Sequence, residues 1–170
     1  MSHRYFAIDR AVEAWDGPFA IKGVLRREDA ERAVSLGVGA VVVSNHGGRQ
    51  LDHGLGTMEM LPEIVEAVDG KAEIVVDGGV QRGSDILKAV AMGAKTVAIG
   101  KLQGWGLAAN GTPGLVRVLE ILQEEIRVGM GLMGVTSIDQ LSPSYVCKAE
   151  AVTQPHEMSA WVNMPEGRIT

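Results

Sequence analysis

The stretch Val41–Asp52, VVVSNHGGRQLD, decides how the rest of the chain is read. Three β-branched residues suit a strand. They run directly into Ser44, Asn45, His46, two glycines and Arg49. A core strand has no need of an imidazole and a guanidinium at its end. In parallel α/β architectures, ligands bind just beyond the C-terminal ends of the strands. The reading therefore turns on whether other strands of this chain end in the same way.

Three further apolar runs do. Phe19–Val24 (FAIKGV), Glu73–Gly79 (EIVVDGG) and Thr96–Lys101 (TVAIGK) join Ala40–Asn45 (AVVVSN) as predicted strands. They are apolar on successive residues rather than alternating, which predicts strands covered on both faces. Helical patterns separate them. REDAERAVSLG places Ala30, Ala33, Val34 and Gly37 on one face, with acids in its first turn and Gly37 as a stop. MLPEIVEAVDG closes on Gly70, and SDILKAVAMG reads as capped by Ser84 and stopped by Gly93. A helix over Gly114–Val128 follows, with Leu115, Val118, Leu119, Leu122 and Ile126 on one face. The predicted strands start at Phe19, Ala40, Glu73 and Thr96, which is 21, 33 and 23 residues apart, a normal spacing for βα units.

The chain of 170 residues is long enough for one domain with a sizeable core. The expected layout is a lead-in over 1–14, four βα units over 15–141 and an extended tail over 142–170 that holds Pro143, Pro155 and Pro165. A complete (β/α)8 barrel typically needs about 250 residues, so four units predict half a barrel or a small open sheet. The net charge of −5 without a basic cluster argues against nucleic acid or an anionic membrane as partner. No apolar run approaches the roughly 18 residues of a membrane span. The single Cys147 and the charged start MSHRYFAIDR predict a cytoplasmic protein.

If the strands are parallel, their polar ends share one rim: Lys22-Gly23, Ser44 to Arg49, Asp77-Gly78-Gly79 with Arg82, and Gly100-Lys101. His46 suits a general base near neutral pH, or is a strand-end histidine satisfied by backbone. Arg49 offers a bidentate fork for a carboxylate, or pairs with Asp52. Lys22 sits inside an apolar strand, where lysine needs a partner: an ion pair with Asp77, or an anionic cofactor or intermediate. Amides at Gly78, Gly79 and Gly100, with Lys101, suit a phosphate. His53 and His156 read as surface residues, Met130 and Met133 as core filler, and Cys147 as structural. No metal-ligand spacing is present, and no G-x-G-x-x-G follows a predicted strand.

These residues carry a specific resemblance. IKGV, VVVSNHGGRQLD, VVDGGVQRGSDILKAVAMGAKTVAIGK and VLEILQEEI closely resemble the FMN-dependent α-hydroxy-acid oxidases and dehydrogenases, from about Trp15 to Leu141. The resemblance implies a TIM barrel whose fifth to eighth strands match the four found here, so that the chain is a C-terminal half-barrel. It implies FMN as cofactor and a small 2-hydroxy acid as substrate, oxidised to the 2-oxo acid. It implies Lys22 beside the N1–C2 carbonyl edge of the flavin, Ser44 as a flavin contact, His46 as the catalytic base and Arg49 as the carboxylate ligand. Asp77, Gly78 and Gly79 match the ribityl and phosphate segment, and Gly100-Lys101 the phosphate-binding Gly-Arg.

Three positions depart from the family pattern. Gln81 stands where DGGVRRG has its first arginine, Lys101 where IGR has arginine, and His53 where glycine is common. The first two weaken bidentate phosphate recognition, with Arg82 as a partial substitute. The aspartate that orients the histidine belongs, in the family, to the other half. A half-barrel also predicts two unpaired sheet edges. The expectation is a homodimer or a complementing half-barrel. The alternative is an inactive module that retains phosphate or flavin affinity.

Overall fold

The computed structural model describes residues 3–51 and 53–149, with side chains from residue 8 onward. A helix, α1 (His3–Ala14), leads into four βα units. These are β1 (Ala20–Val24) with α2 (Arg27–Ser35), β2 (Ala40–Val43) with α3 (Thr57–Val68), β3 (Glu73–Asp77) with α4 (Gly83–Ala91), and β4 (Thr96–Ala98) with α5 (Lys101–Met133). The strands form one sheet in the order β1-β2-β3-β4, each pair parallel. All four C-terminal ends therefore lie on one rim. Among the described residues β1 and β4 each pair on one side only.

Burial alternates along the strands, contrary to the continuous apolar runs. Val41, Val43, Ile74 and Val76 join the core with Ala30, Ala33, Leu61, Ile64 and Val68. Each large apolar side chain buried there contributes about 1.5–3 kcal/mol. The register aligns a second row, Lys22 with Val42, Val42 with Val75, and Val75 with Thr96. That row is exposed or half-buried. Among the described residues helices cover one face of the sheet, and successive apolar residues fall on both faces because strand side chains alternate.

The strands are shorter than expected. β2 stops at Val43 and β3 at Asp77, so Ser44, Asn45, Gly78 and Gly79 belong to the loops beyond. β4 is only three residues long. The last helix is longer than Gly114–Val128: it runs from Lys101 to Met133 and breaks at Asn110 and Gly111. Its two arms pack closely, since a Cβ on Gly114 would lie 2.0 Å from the Gly106 carbonyl oxygen. On its face Leu122 is buried but Leu119 is half-exposed.

Ser84 does not cap α4. Arg82 holds the cap position with extended backbone, and the Asp85 carboxylate accepts from the N–H groups of Gln81 (3.1 Å) and Arg82 (3.0 Å). An acid in the first turn takes over because its charge also favours the helix dipole. Glu125 of α5 completes the cap: its Oε2 accepts from Gly83 N–H at 2.7 Å. Of the expected tail, Pro143–Tyr145 forms a short 3-10 turn, and residues 150–170, with Pro155, Pro165 and His156, lie outside the described residues. Cys147 is an exposed free thiol rather than a structural residue.

Candidate functional site

Lys22 is the residue around which the rim is organised. The pairing of β1 with β2 shifts between Lys22 and Val24, so Gly23 is an extra residue in β1. Gly23 adopts φ +94°, a conformation that costs a side-chain-bearing residue about 1–2 kcal/mol. The bulge lets Val24 return to the core while Lys22 stays on the open face. From there Nζ donates to Ser44 Oγ at 2.6 Å and to Asp77 Oδ2 at 2.5 Å. One ammonium thus ties together the ends of three strands.

Ser44 is 2% exposed and its hydroxyl oxygen serves twice. It accepts from Lys22 and from the backbone N–H of His46 at 3.1 Å. His46 opens a 3-10 turn, His46–Gly48, with its own backbone at φ +56°. That left-handed conformation is unusual for histidine and places it among strained residues that cluster at functional sites. The turn leaves His46 and Arg49 exposed on the rim. Lys22, Gly23, Ser44 and His46 line an open cleft of about 230 Å³.

Asp77 supplies the third corner. Its Oδ2 takes Lys22, while its Oδ1 is buried without a hydrogen-bond partner among the described residues. A buried carboxylate oxygen left unpaired is costly, so it is an acceptor open to a water or a ligand donor. Beyond it, Gly78 (φ +94°) and Gly79 (φ +73°) turn the chain. Gly78 fits between two side chains: its Cβ would lie 3.4 Å from both Asn45 Oδ1 and Thr57 Oγ1.

The remaining expected residues divide. Gly100 caps α5 and Lys101 is its first residue. The Lys101 stem leans toward the histidine turn, with Cε 3.7 Å from where a Cβ on Gly47 would stand. Gln81 is half-buried at the start of α4. Arg82 is engaged elsewhere: its Nε donates to Glu125 Oε1 at 2.8 Å, on the α5 side of the helix layer. The pairing of Arg49 with Asp52 involves a residue outside the described ones. Of the two readings of Lys22, the ion pair with Asp77 is present, and it leaves the Lys22 side chain 53% exposed to whatever enters the cleft.

Two residues had no role in the sequence reading. Thr57 is buried, and its hydroxyl donates to the Asp77 carbonyl at 2.7 Å, fixing the end of β3 to the start of α3. Asn45 accepts from Gly47 N–H at 3.0 Å. Its place in the motif was visible, but nothing in the sequence told which backbone group it meets. Among the described residues no cluster of three or more histidine, cysteine or acidic side chains could hold a metal ion. No described helix is long and apolar enough to cross a membrane.

Comparison with known proteins agrees on one family. A family model described as FMN-dependent dehydrogenase matches residues 2–148. An L-lactate oxidase of Nostoc sp. is 50% identical over 129 residues, 76% of this chain and 35% of the relative. The 2-hydroxyacid oxidase 1 of Mus musculus is 50% identical over 131 residues, 77% of this chain and 35% of the relative. Among solved structures, a mandelate oxidase with (S)-mandelic acid superposes with a TM-score of 0.77 at 48% identity, over 79% of this chain and 40% of that one. The chain thus spans about a third of the length of the curated relatives it matches, and its four βα units correspond to part of a barrel.

Proposed function

This chain belongs to the FMN-dependent dehydrogenase family, and we propose that its strand-end rim is one side of a site for FMN-dependent oxidation of a small 2-hydroxy acid to the 2-oxo acid. The observation that carries the proposal is the convergence of Lys22, Ser44 and His46 on one cleft, with Asp77 of a third strand bonded to Lys22. The residues fit the cofactor: the unpaired Asp77 Oδ1 suits a ribityl hydroxyl donor, and the turn at Gly78-Gly79 suits close approach of a phosphate. When bound, FMN supplies the two-electron acceptor that no protein side chain provides.

The protein groups divide the remaining work. Arg49 holds the substrate carboxylate through its fork. The His46 imidazole takes one of the two protons the substrate loses, and its strained turn keeps it at the cleft. Lys22 and Ser44, both lining the cleft, would hold the edge of the flavin ring, with the Lys22 ammonium as donor. Gly78, Gly79 and Gly100 offer backbone N–H groups, and Lys101 a point charge, to the phosphate. Gln81 adds a neutral donor where relatives have arginine. Arg82 contributes only if its pair with Glu125 opens.

We infer further that the edges of β1 and β4, unpaired among the described residues, are completed by a second copy of this chain or by a complementing half-barrel, in a reducing cytoplasmic setting. Unpaired parallel edges beside a half-covered sheet favour such closure. The test is to run the purified chain with FMN through a sizing column while recording its visible spectrum. Flavin co-eluting with a species larger than the monomer, and bleaching anaerobically with a 2-hydroxy acid in wild type but not in His46→Gln, is the expected result. Flavin that separates from the protein at every concentration would overturn the proposal.

A further inference from the structure

We propose that Asn45 is the positioning residue that sets the distance between the proton-accepting turn and the cofactor segment. The proposal rests on the reading of His46 as the base and of Asp77–Gly79 as a cofactor contact.

Asn45 bonds one side of that gap and lies beside the other. Its Oδ1 accepts from Gly47 N–H at 3.0 Å, within the His46–Gly48 turn. The same oxygen lies 3.4 Å from where a Cβ on Gly78 would stand. Its Nδ2 reaches the Leu55 carbonyl at 3.5 Å, the long limit of a hydrogen bond, toward the loop that returns to α3. The backbone bond of Gly48 N–H to the Asn45 carbonyl, 3.1 Å, closes the turn on the same residue. One side chain therefore bonds the turn after β2 and lies beside the turn after β3.

The chemistry gives this contact a purpose. Proton acceptor and electron acceptor must act on one small substrate, and misplacement by about 1 Å can cost two orders of magnitude in rate. His46 sits in a conformation that it does not favour intrinsically, with φ +56°. Two flanking side chains oppose its relaxation: Ser44 Oγ holds the His46 N–H and Asn45 Oδ1 holds the next one. Ser44 reaches the end of β3 only through Lys22, whereas Asn45 lies directly beside Gly78.

The test compares Asn45→Ala with Asn45→Asp in the full chain, by amide NMR and by FMN titration. Aspartate keeps an oxygen that accepts from Gly47, while its second oxygen replaces the weak donor to Leu55 with a negative acceptor. In Asn45→Ala the Gly47 amide should exchange about fivefold to tenfold faster, the loss of one hydrogen bond, and resonances of residues 46–49 and 77–79 should move together. Asn45→Asp should restore the Gly47 protection. Movement confined to residues 46–49, or Asp behaving like Ala, would overturn the proposal. If Asn45→Ala fails to fold, Asn45→Asp carries the test, since Gly47 protection is either kept or lost. Failure of wild type to bind FMN counts against the functional reading, while the amide measurements still judge Asn45.

Discussion

The Lys22 ammonium and the Asp77 carboxylate meet at 2.5 Å from strands that are not neighbours, reaching over β2. Asp77 is 17% exposed and Lys22 53%, so the pair has a shielded acid and an accessible cation. That asymmetry suits a charge offered to a ligand better than a bridge built for stability. Lys22→Met should cost about 1–2 kcal/mol in urea unfolding, the range for a hydrogen bond to a charged group at a partly open site. The same substitution should weaken FMN binding by at least about tenfold, because a charge-assisted contact is lost. A variant that unfolds earlier yet binds FMN normally would make the pair structural only.

The turn after β3 is tested by its two glycines. Gly79 has φ +73° and open space where a side chain would go, so Gly79→Ala should carry conformational strain alone, about 1–2 kcal/mol. Gly78 has φ +94° and would also press a Cβ against Asn45 and Thr57 at 3.4 Å. Gly78→Ala should therefore lower the urea midpoint further than Gly79→Ala. Equal midpoints would show that Asn45 and Thr57 yield freely.

Glu125 serves α4 rather than the rim. It takes Gly83 N–H at 2.7 Å and Arg82 Nε at 2.8 Å, binding the start of α4 to α5. Glu125→Ala should destabilise the chain by about 0.5–2 kcal/mol, the usual cost of losing a helix N-terminal cap. Glu125→Gln keeps an oxygen for Gly83 and should lose less. Thermal unfolding followed by circular dichroism distinguishes the two.

A pH effect is expected on the outer face of α5. The Arg127 guanidinium, bonded to Glu124 at 2.7 and 2.9 Å, holds that carboxyl below its ordinary value of 4.5. A lowered folded-state value means a contribution present above the ordinary glutamate range and lost as pH falls through the folded value. Carboxyl NMR titration should place Glu124 below 4.5 in wild type and return it to the ordinary range in Arg127→Ala. Added salt should narrow the difference, since both groups face solvent.

What the sequence by itself determined was the succession of βα units and the polar composition of each strand's end. Those are local properties: β-branched runs, glycine stops and acids in first turns act over a few residues, so VVVSNHGGRQLD could be placed at a strand end without knowing its neighbours. The family pattern was legible for the same reason, because it lies in contiguous motifs. Only the tertiary structure decided which groups meet. Lys22 and Asp77 are 55 residues apart, and Arg82 and Glu125 are 43 apart. Strand register and helix packing bring each pair together, and neither is written in any short window. The same holds for the face of the sheet left uncovered and for Ser84 giving way to Asp85. Apolar runs specify strands, but the covered side depends on where the helices lie, and a cap depends on which acceptor reaches the free N–H groups first.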